Sequence, residues 1–301
     1  MEESFTRNIL NPTLKLIRED IKVKRFYFFP GLLSVIFISV LLVYQVVYTY
    51  SVLLGKEDMT LTFLLNLFHS DYIIELIIAS GIFAICYILL LPVFEWGLIR
   101  YIDKSITWTP SRSDSIGHGL LRFAPLFEFN NIFSMFKFMS IVNWFLFSIR
   151  FLGIDYIPML IVIFTIAFLL SIIINILTAY ASYEIVLENK GVFEAIWISA
   201  QLALLNIKTT LKLYVLMFIM NLKVIINFAV FLIFPVLAWF IIGLLSSQIF
   251  ITITFIVLGI TFIWVIFILW YVASVLEVFT TSIWYNAYRE WKSKLAEINH
   301  S

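Results

Sequence analysis

One cysteine in 301 residues, Cys86, leaves no intrachain disulfide and no multi-cysteine metal site. It lies inside an apolar run, where a small packed side chain explains it. Charge is also scarce: Asp, Glu, Lys and Arg make up 13% of the chain, against about 25% in ordinary soluble domains. The ten glycines are scattered and form no phosphate-cradling loop. His69, His118 and His300 stand far apart, with no metal-ligand spacing and no HExxH pattern. No nucleophile elbow and no serine–histidine–acid pattern is visible. Basic residues are spread along the chain rather than gathered into a patch, so no nucleic-acid partner is expected. The sequence names no catalytic residue, no cofactor and no metal.

What is abundant is apolar surface. Hydrophobic residues reach 62% and aromatics 18%. Several apolar runs exceed the roughly 20 residues needed to cross about 30 Å of hydrocarbon. These runs are continuous, unlike the alternating ten-residue strands of a membrane β-barrel. The fold class expected is all-α, a polytopic six-helix transmembrane bundle. The first 25 residues are polar and no cleavage site follows the first apolar run, so that run is expected to insert uncleaved.

Six spans are expected: Phe29 to Val52, Tyr72 to Ile99, Ile132 to Phe151, Ile157 to Val186, Leu211 to Leu244, and Ile249 to Tyr285. Lys137, Ser140 and Asn143 interrupt the third. Pro235 is expected to kink the fifth, and the last two exceed the length a bilayer requires. Arg7, Lys15, Arg18, Lys22, Lys24 and Arg25 precede the first span. Arg100, Lys104, Arg112 and Arg122 separate the second from the third; Lys190, Lys208 and Lys212 surround the fourth-to-fifth connection; Arg289, Lys292 and Lys294 follow the sixth. Only Lys56 and Arg150 fall on the other side. By the positive-inside rule the chain is a multi-pass protein of the cell (plasma or inner) membrane with both termini cytoplasmic. Its loops are too short for a soluble catalytic domain.

A repeat is also suggested. An amphipathic segment precedes each odd-numbered span: Leu14, Ile17 and Ile21 in the first; Ile116, Leu120, Leu121, Phe123 and Leu126 in the second; Phe193, Ile196, Trp197 and Leu204 in the third. Such segments suit helices lying in the membrane interface. The single membrane domain, residues 1–301, then reads as three pseudo-repeated units of interfacial helix plus transmembrane hairpin, at about 10–104, 112–190 and 191–290.

Glu95, Glu184 and Glu277 sit near the ends of the even spans, 89 and 93 residues apart. Lys137 and Lys223 lie near the starts of odd spans. An ionised side chain at mid-bilayer costs at least about 2.5–3.5 kcal/mol, so these five should face one another, face water, or snorkel to the interface. Asn143, Asn221, Asn227 and Tyr180 could join them. The group reads either as a polar cluster that binds a headgroup or small solute, or as separate structural Lys–Glu contacts. Trp96, Trp108, Trp284 and Tyr285 fall near span boundaries, as an aromatic belt would place them.

The stretch Glu188-Asn189-Lys190-Gly191, then Glu194-Ala195, Ser199, Leu202 and Asn206, leads into a hydrophobic helix. It resembles a motif of the prokaryotic membrane domain attached to some glycerophosphodiester phosphodiesterases, and of related stand-alone six-helix proteins. Tyr285-Asn286-Ala287-Tyr288-Arg289-Glu290 is similar to that family's C-terminus. The resemblance covers mainly residues 188–290 and implies a six-helix membrane module. It transfers no phosphodiesterase residues, because the catalytic histidines and metal carboxylates have no counterpart here.

The function expected is therefore a non-enzymatic module that organises membrane lipids, or protein partners on the cytoplasmic face. One alternative is a transporter or lipid-translocating protein with a cytoplasm-facing polar cavity. A second is an integral membrane enzyme acting on lipids.

Overall fold

The computed structural model describes residues 5–37, 39–40, 57–107, 111–220, 226, 233, 240 and 248–300. Among these the regular structure is all helical. A π-helical turn, Thr6–Leu10, leads into α1 (Asn11–Glu19) and α2 (Ile21–Phe26). Then come α3 (Phe28–Phe37), α4 (Glu57–Phe68), α5 (Ile73–Thr107), α6 (Arg112–Leu121), α7 (Phe123–Ser134) and α8 (Phe138–Leu152). The chain continues with α9 (Ile157–Leu177), α10 (Ala181–Leu187), α11 (Val192–Leu205), α12 (Ile207–Met220) and α13 (Gln248–His300).

Three helical stretches are long and apolar enough to cross a membrane: Ile73–Ile106, Ile157–Leu187 and Thr252–Ile298. A fourth is added if α11 and α12, bent by 99°, are counted as one span. These correspond to the second, fourth and sixth expected spans. Most of the first and fifth expected spans, with Pro235 and Lys223, lies outside the described residues. The third is divided: the chain turns at Met135–Lys137, and α8 has only 15 residues, short of the ~20 a bilayer needs.

The chain forms two compact units. The first comprises Met1–Val23, Pro92–Leu216 and Phe279–Ser301; the second comprises Lys24–Leu91 and Met217–Val278.

The first unit holds most of the closely packed core. Trp96, Leu98, Tyr101 and Ile102 on α5 are buried, as are Leu126 on α7, Tyr180, Ile185 and Val186 around α10, and Ile283, Tyr285 and Ala287 on α13. Helix α6 can approach α5 closely because Gly119 has no side chain. A Cβ there would stand 2.4 Å from the Val93 carbonyl oxygen and 3.0 Å from the Gly97 nitrogen.

In the second unit, Gly31 lets α3 meet α13. A Cβ on it would come within 2.0 Å of Ser274 Oγ. Phe28 stacks on Trp270 at 3.9 Å between ring centroids, and Trp270 Nε1–H donates to the Phe28 carbonyl. Many other apolar side chains of this unit are exposed. Ile74, Ile77, Ile78, Ile82, Ile85 and Ile88 of α5 are all exposed. In water that surface would cost about 25 cal/mol per Å²; in a bilayer it faces the solvent it suits. The helices are those of a membrane protein.

The expected aromatic belt is corrected in part. Trp96, Trp284 and Tyr285 are core residues, and Trp108 lies outside the described residues. The exposed tryptophans include Trp144, Trp197 and Trp264.

Candidate functional site

The polar groups of the first unit gather where its helices break. Helix α9 ends at Leu177, and a short turn, Thr178 to Tyr180, precedes α10. A break inside an apolar stretch frees backbone groups that lipid cannot satisfy. Ser199 of α11 satisfies two of them. It accepts a hydrogen bond from Tyr180 N–H (3.0 Å) and donates one to the Leu177 carbonyl (2.7 Å). Ser199 is fully buried, between the buried Ala195 and Leu202 of the same helix face. The turn at Met135–Lys137 is held in the same way. The Phe136 carbonyl accepts from Asn175 Nδ2 (2.8 Å) and from Ser171 Oγ. Tyr214 O–H donates in turn to the Asn175 carbonyl.

An aromatic layer covers these breaks. The Tyr180 hydroxyl meets Thr210 Oγ1 at 3.1 Å. Trp284 of α13 stands edge-on to Tyr180 and to Tyr214, with centroids 5.5 and 5.1 Å away.

The carboxylate lies one turn beyond Tyr180. Glu184 is fully buried on α10. Its Oε1 accepts from the Tyr288 hydroxyl (3.2 Å) and from Lys292 Nζ. Tyr288 and Lys292 are four residues apart on α13 and so share one face. Tyr183 stacks on Tyr288 at 5.6 Å and donates through its hydroxyl to the Thr281 carbonyl (3.1 Å). Beside it, His118 Nε2–H donates to the Val186 carbonyl at 2.8 Å. Glu184 Oε2 is buried with no hydrogen-bond partner among the described residues.

Of the five residues singled out in the sequence, Glu184 belongs to this network. Glu95 is half-buried on α5 in the first unit. Glu277 is half-buried on α13 in the second unit. Lys137 is exposed in the bend before α8 and makes no ion pair among the described residues. Lys223 lies outside the described residues. The cation found on Glu184 is Lys292, which in the sequence stands out only as a positive charge after the last span. Tyr180 is a network member that the sequence points to; Tyr288, Ser199, Thr210, Tyr214 and Asn175 join it without a charge or a depth pattern to mark them. The i,i+4 pair Tyr288/Lys292 at the end of an apolar helix was the available signal.

The motif behind the family resemblance has visible local roles. Asn189 takes a left-handed conformation, φ 58°, and turns the chain between α10 and α11, a geometry asparagine tolerates better than most residues. Lys190 pairs with Glu194 at 2.6 Å, which holds the lysine's pKa above its ordinary value. Asn206 is the residue at which α11 gives way to α12.

Chemically, the cluster is an ion pair with a phenol beside it. Among the described residues no group of three or more His, Cys, Asp or Glu is placed to hold a metal. No protein-family model, no curated protein and no solved structure matches the chain.

Proposed function

We propose that the protein is a non-enzymatic membrane module that organises lipids, or protein partners, at the cell membrane. The observation that carries this reading is helix α11. It meets α12 at 99°. If α12 enters the membrane as part of the fifth span, α11 lies in the membrane plane. Its inner face is fixed by Ala195, Ser199 and Leu202. Its outer face presents Phe193 (78% exposed) and Trp197 (67%) one turn apart, with Leu204 beyond. Aromatic side chains on an in-plane helix sit at headgroup depth.

The rest of the architecture follows in the same reading. The chain crosses the membrane six times with both termini cytoplasmic, as its lysines and arginines require. It is built from three units of interfacial helix plus hairpin. Short helices preceding α3, α8 and α12 support that pattern, and so does the resemblance to the six-helix phosphodiesterase-associated membrane domain. The Glu184–Lys292 pair serves as a structural tie in this scheme, because the contact is direct and the carboxylate is buried.

A lipid-translocating protein is the second reading. The broken fourth span favours it, since discontinuous helices line many transport sites. Against it, the groups freed by the break are met by Ser199.

The test is tryptophan fluorescence of the full chain in vesicles. Lipids brominated just below the headgroup should quench wild type more than Trp197→Phe, and the difference is the Trp197 contribution. If that contribution responds to aqueous acrylamide and not to bromolipid, α11 is not in the interface and the reading fails.

A further inference from the structure

We propose that the exposed side of the N-terminal segment docks anionic phospholipid headgroups through Lys15, Arg18 and Lys22, with Leu14 and Ile21 entering the acyl boundary. The inference rests on the reading of the protein as a lipid-organising module and names the lipid class.

The segment is anchored on one side. Ile9, Thr13 and Val23 are fully buried. Asn286 Nδ2 of α13 donates to Thr13 Oγ1 at 2.9 Å, and Asn8 Nδ2 donates to Glu290 Oε1 at 3.3 Å. All of these residues belong to the first unit. The corner between α1 and α2 is equally fixed. Asp20 Oδ1 accepts from the backbone N–H of Lys22 (2.7 Å) and of Val23 (3.3 Å), capping α2.

The other side is unpartnered. Arg18 lies four residues after Leu14 and three after Lys15 on α1, so it neighbours both. Ile21 and Lys22 follow the extended corner at Asp20 and are also exposed. Leu14 is 49% exposed and Ile21 57%, and all three cations are exposed. None of the three has an ion-pair partner among the described residues. Asp20 spends its carboxylate on the α2 backbone, so Glu19 is the one exposed acid of α1 beside them.

Exposed aliphatic side chains set among cations fit a lipid surface, where charge meets phosphate and the alkyl groups leave water. The chain also keeps them near that surface. Apolar helix α3 begins at Phe28, six residues after Lys22, a separation of about 20 Å at full extension.

The test uses the full chain in nanodiscs of mixed phosphatidylglycerol and phosphatidylcholine, with the lipids retained on the protein counted by native mass spectrometry. Wild type should retain phosphatidylglycerol in excess of its share. Lys15→Gln/Arg18→Gln/Lys22→Gln should lower that excess about fivefold or more, since one cation at an anionic surface is worth about fivefold. The charge-keeping variant Lys15→Arg/Arg18→Lys/Lys22→Arg should retain it, which separates lost charge from lost folding. An excess unchanged in the neutral variant overturns the proposal. So does an absent preference in wild type. Bromolipid quenching of Trp197 reads the broader proposal separately: quenching without headgroup preference defeats only the lipid class, whereas loss of both defeats the lipid-organising reading.

Discussion

Lys292 reaches the buried carboxylate of Glu184 across 108 residues of sequence, and Tyr288 donates to the same oxygen one turn earlier on the same helix. The pair is asymmetric. Glu184 has no exposed surface, while Lys292 keeps 32% of its side chain exposed. Removing the lysine strands a buried charge; removing the carboxylate lets the ammonium turn to water. Lys292→Met should therefore destabilise by about 3–5 kcal/mol. Glu184→Gln, which keeps an acceptor for Tyr288, should cost about 1.5–3 kcal/mol. The double variant should be more stable than Lys292→Met alone. Denaturant unfolding of the purified protein in detergent measures all three, and a Glu184→Gln more damaging than Lys292→Met would contradict the asymmetry.

Gly119 and Gly117 stand two residues apart on α6 and should respond oppositely to alanine. At Gly119 the new methyl meets the backbone of Val93 and Gly97, which cannot rotate away, whereas at Gly117 nothing lies within 4 Å. Gly119→Ala should cost about 1–3 kcal/mol by overpacking. Gly117→Ala should gain up to about 1 kcal/mol from helix propensity. Melting temperatures of the two variants should fall on either side of wild type.

Ser199→Ala tests the break between α9 and α10. The substitution keeps the helix and removes both hydrogen bonds that Ser199 makes, leaving Tyr180 N–H and the Leu177 carbonyl short of a partner. A loss of about 1–3 kcal/mol is expected. Hydrogen exchange should locate it, with the Tyr180 amide exchanging faster while amides in α13 hold. Unchanged protection at Tyr180 would mean that another donor or acceptor closes the break.

The long apolar stretches were readable because 20-residue hydrophobic runs have few alternatives to membrane helices, and the second, fourth and sixth reappear in the structure. The breaks were less readable. Lys137, Ser140 and Asn143 mark an interruption after Phe136, but nothing in the run around Tyr180 forces a turn; both turns are held by Asn175 and Ser199, distant in sequence. Glu184 drew notice as an acid in an apolar stretch. Its partner was missed because Lys292 looked like one more positive charge past the last span. Depth along a helix can be estimated from sequence, but the direction a residue faces among many exposed and buried neighbours cannot, and that direction chose Lys292 over Lys137. Trp96, Trp284 and Tyr285 failed as belt residues for the same reason: at the ends of spans these rings turn inward and form the core.

Asp114 and Lys190, both outside the spans, carry opposite pH signatures through their ion pairs. Asp114, near the start of α6, is bonded to Lys104, and that hydrogen bond and charge hold its pKa below the ordinary carboxylate value. A depressed pKa contributes stability above the unfolded-state value, near 3.9, and loses it as pH falls through the folded value. Lys190 is raised by its hydrogen bond to Glu194. Its contribution is complete below about 10.4 and disappears as pH climbs through the raised value. Between about pH 5 and about pH 9, then, neither pair should make stability vary with pH. The melting-temperature gap between wild type and Asp114→Asn should stay constant over that range and close only in acid. The gap to Lys190→Gln should close only in strong alkali. Both gaps should be small and should shrink with added salt, because the side chains are well exposed. A gap for Asp114→Asn that closes near neutral pH would show that another titrating group, and not the Lys104 contact, governs this corner of the fold.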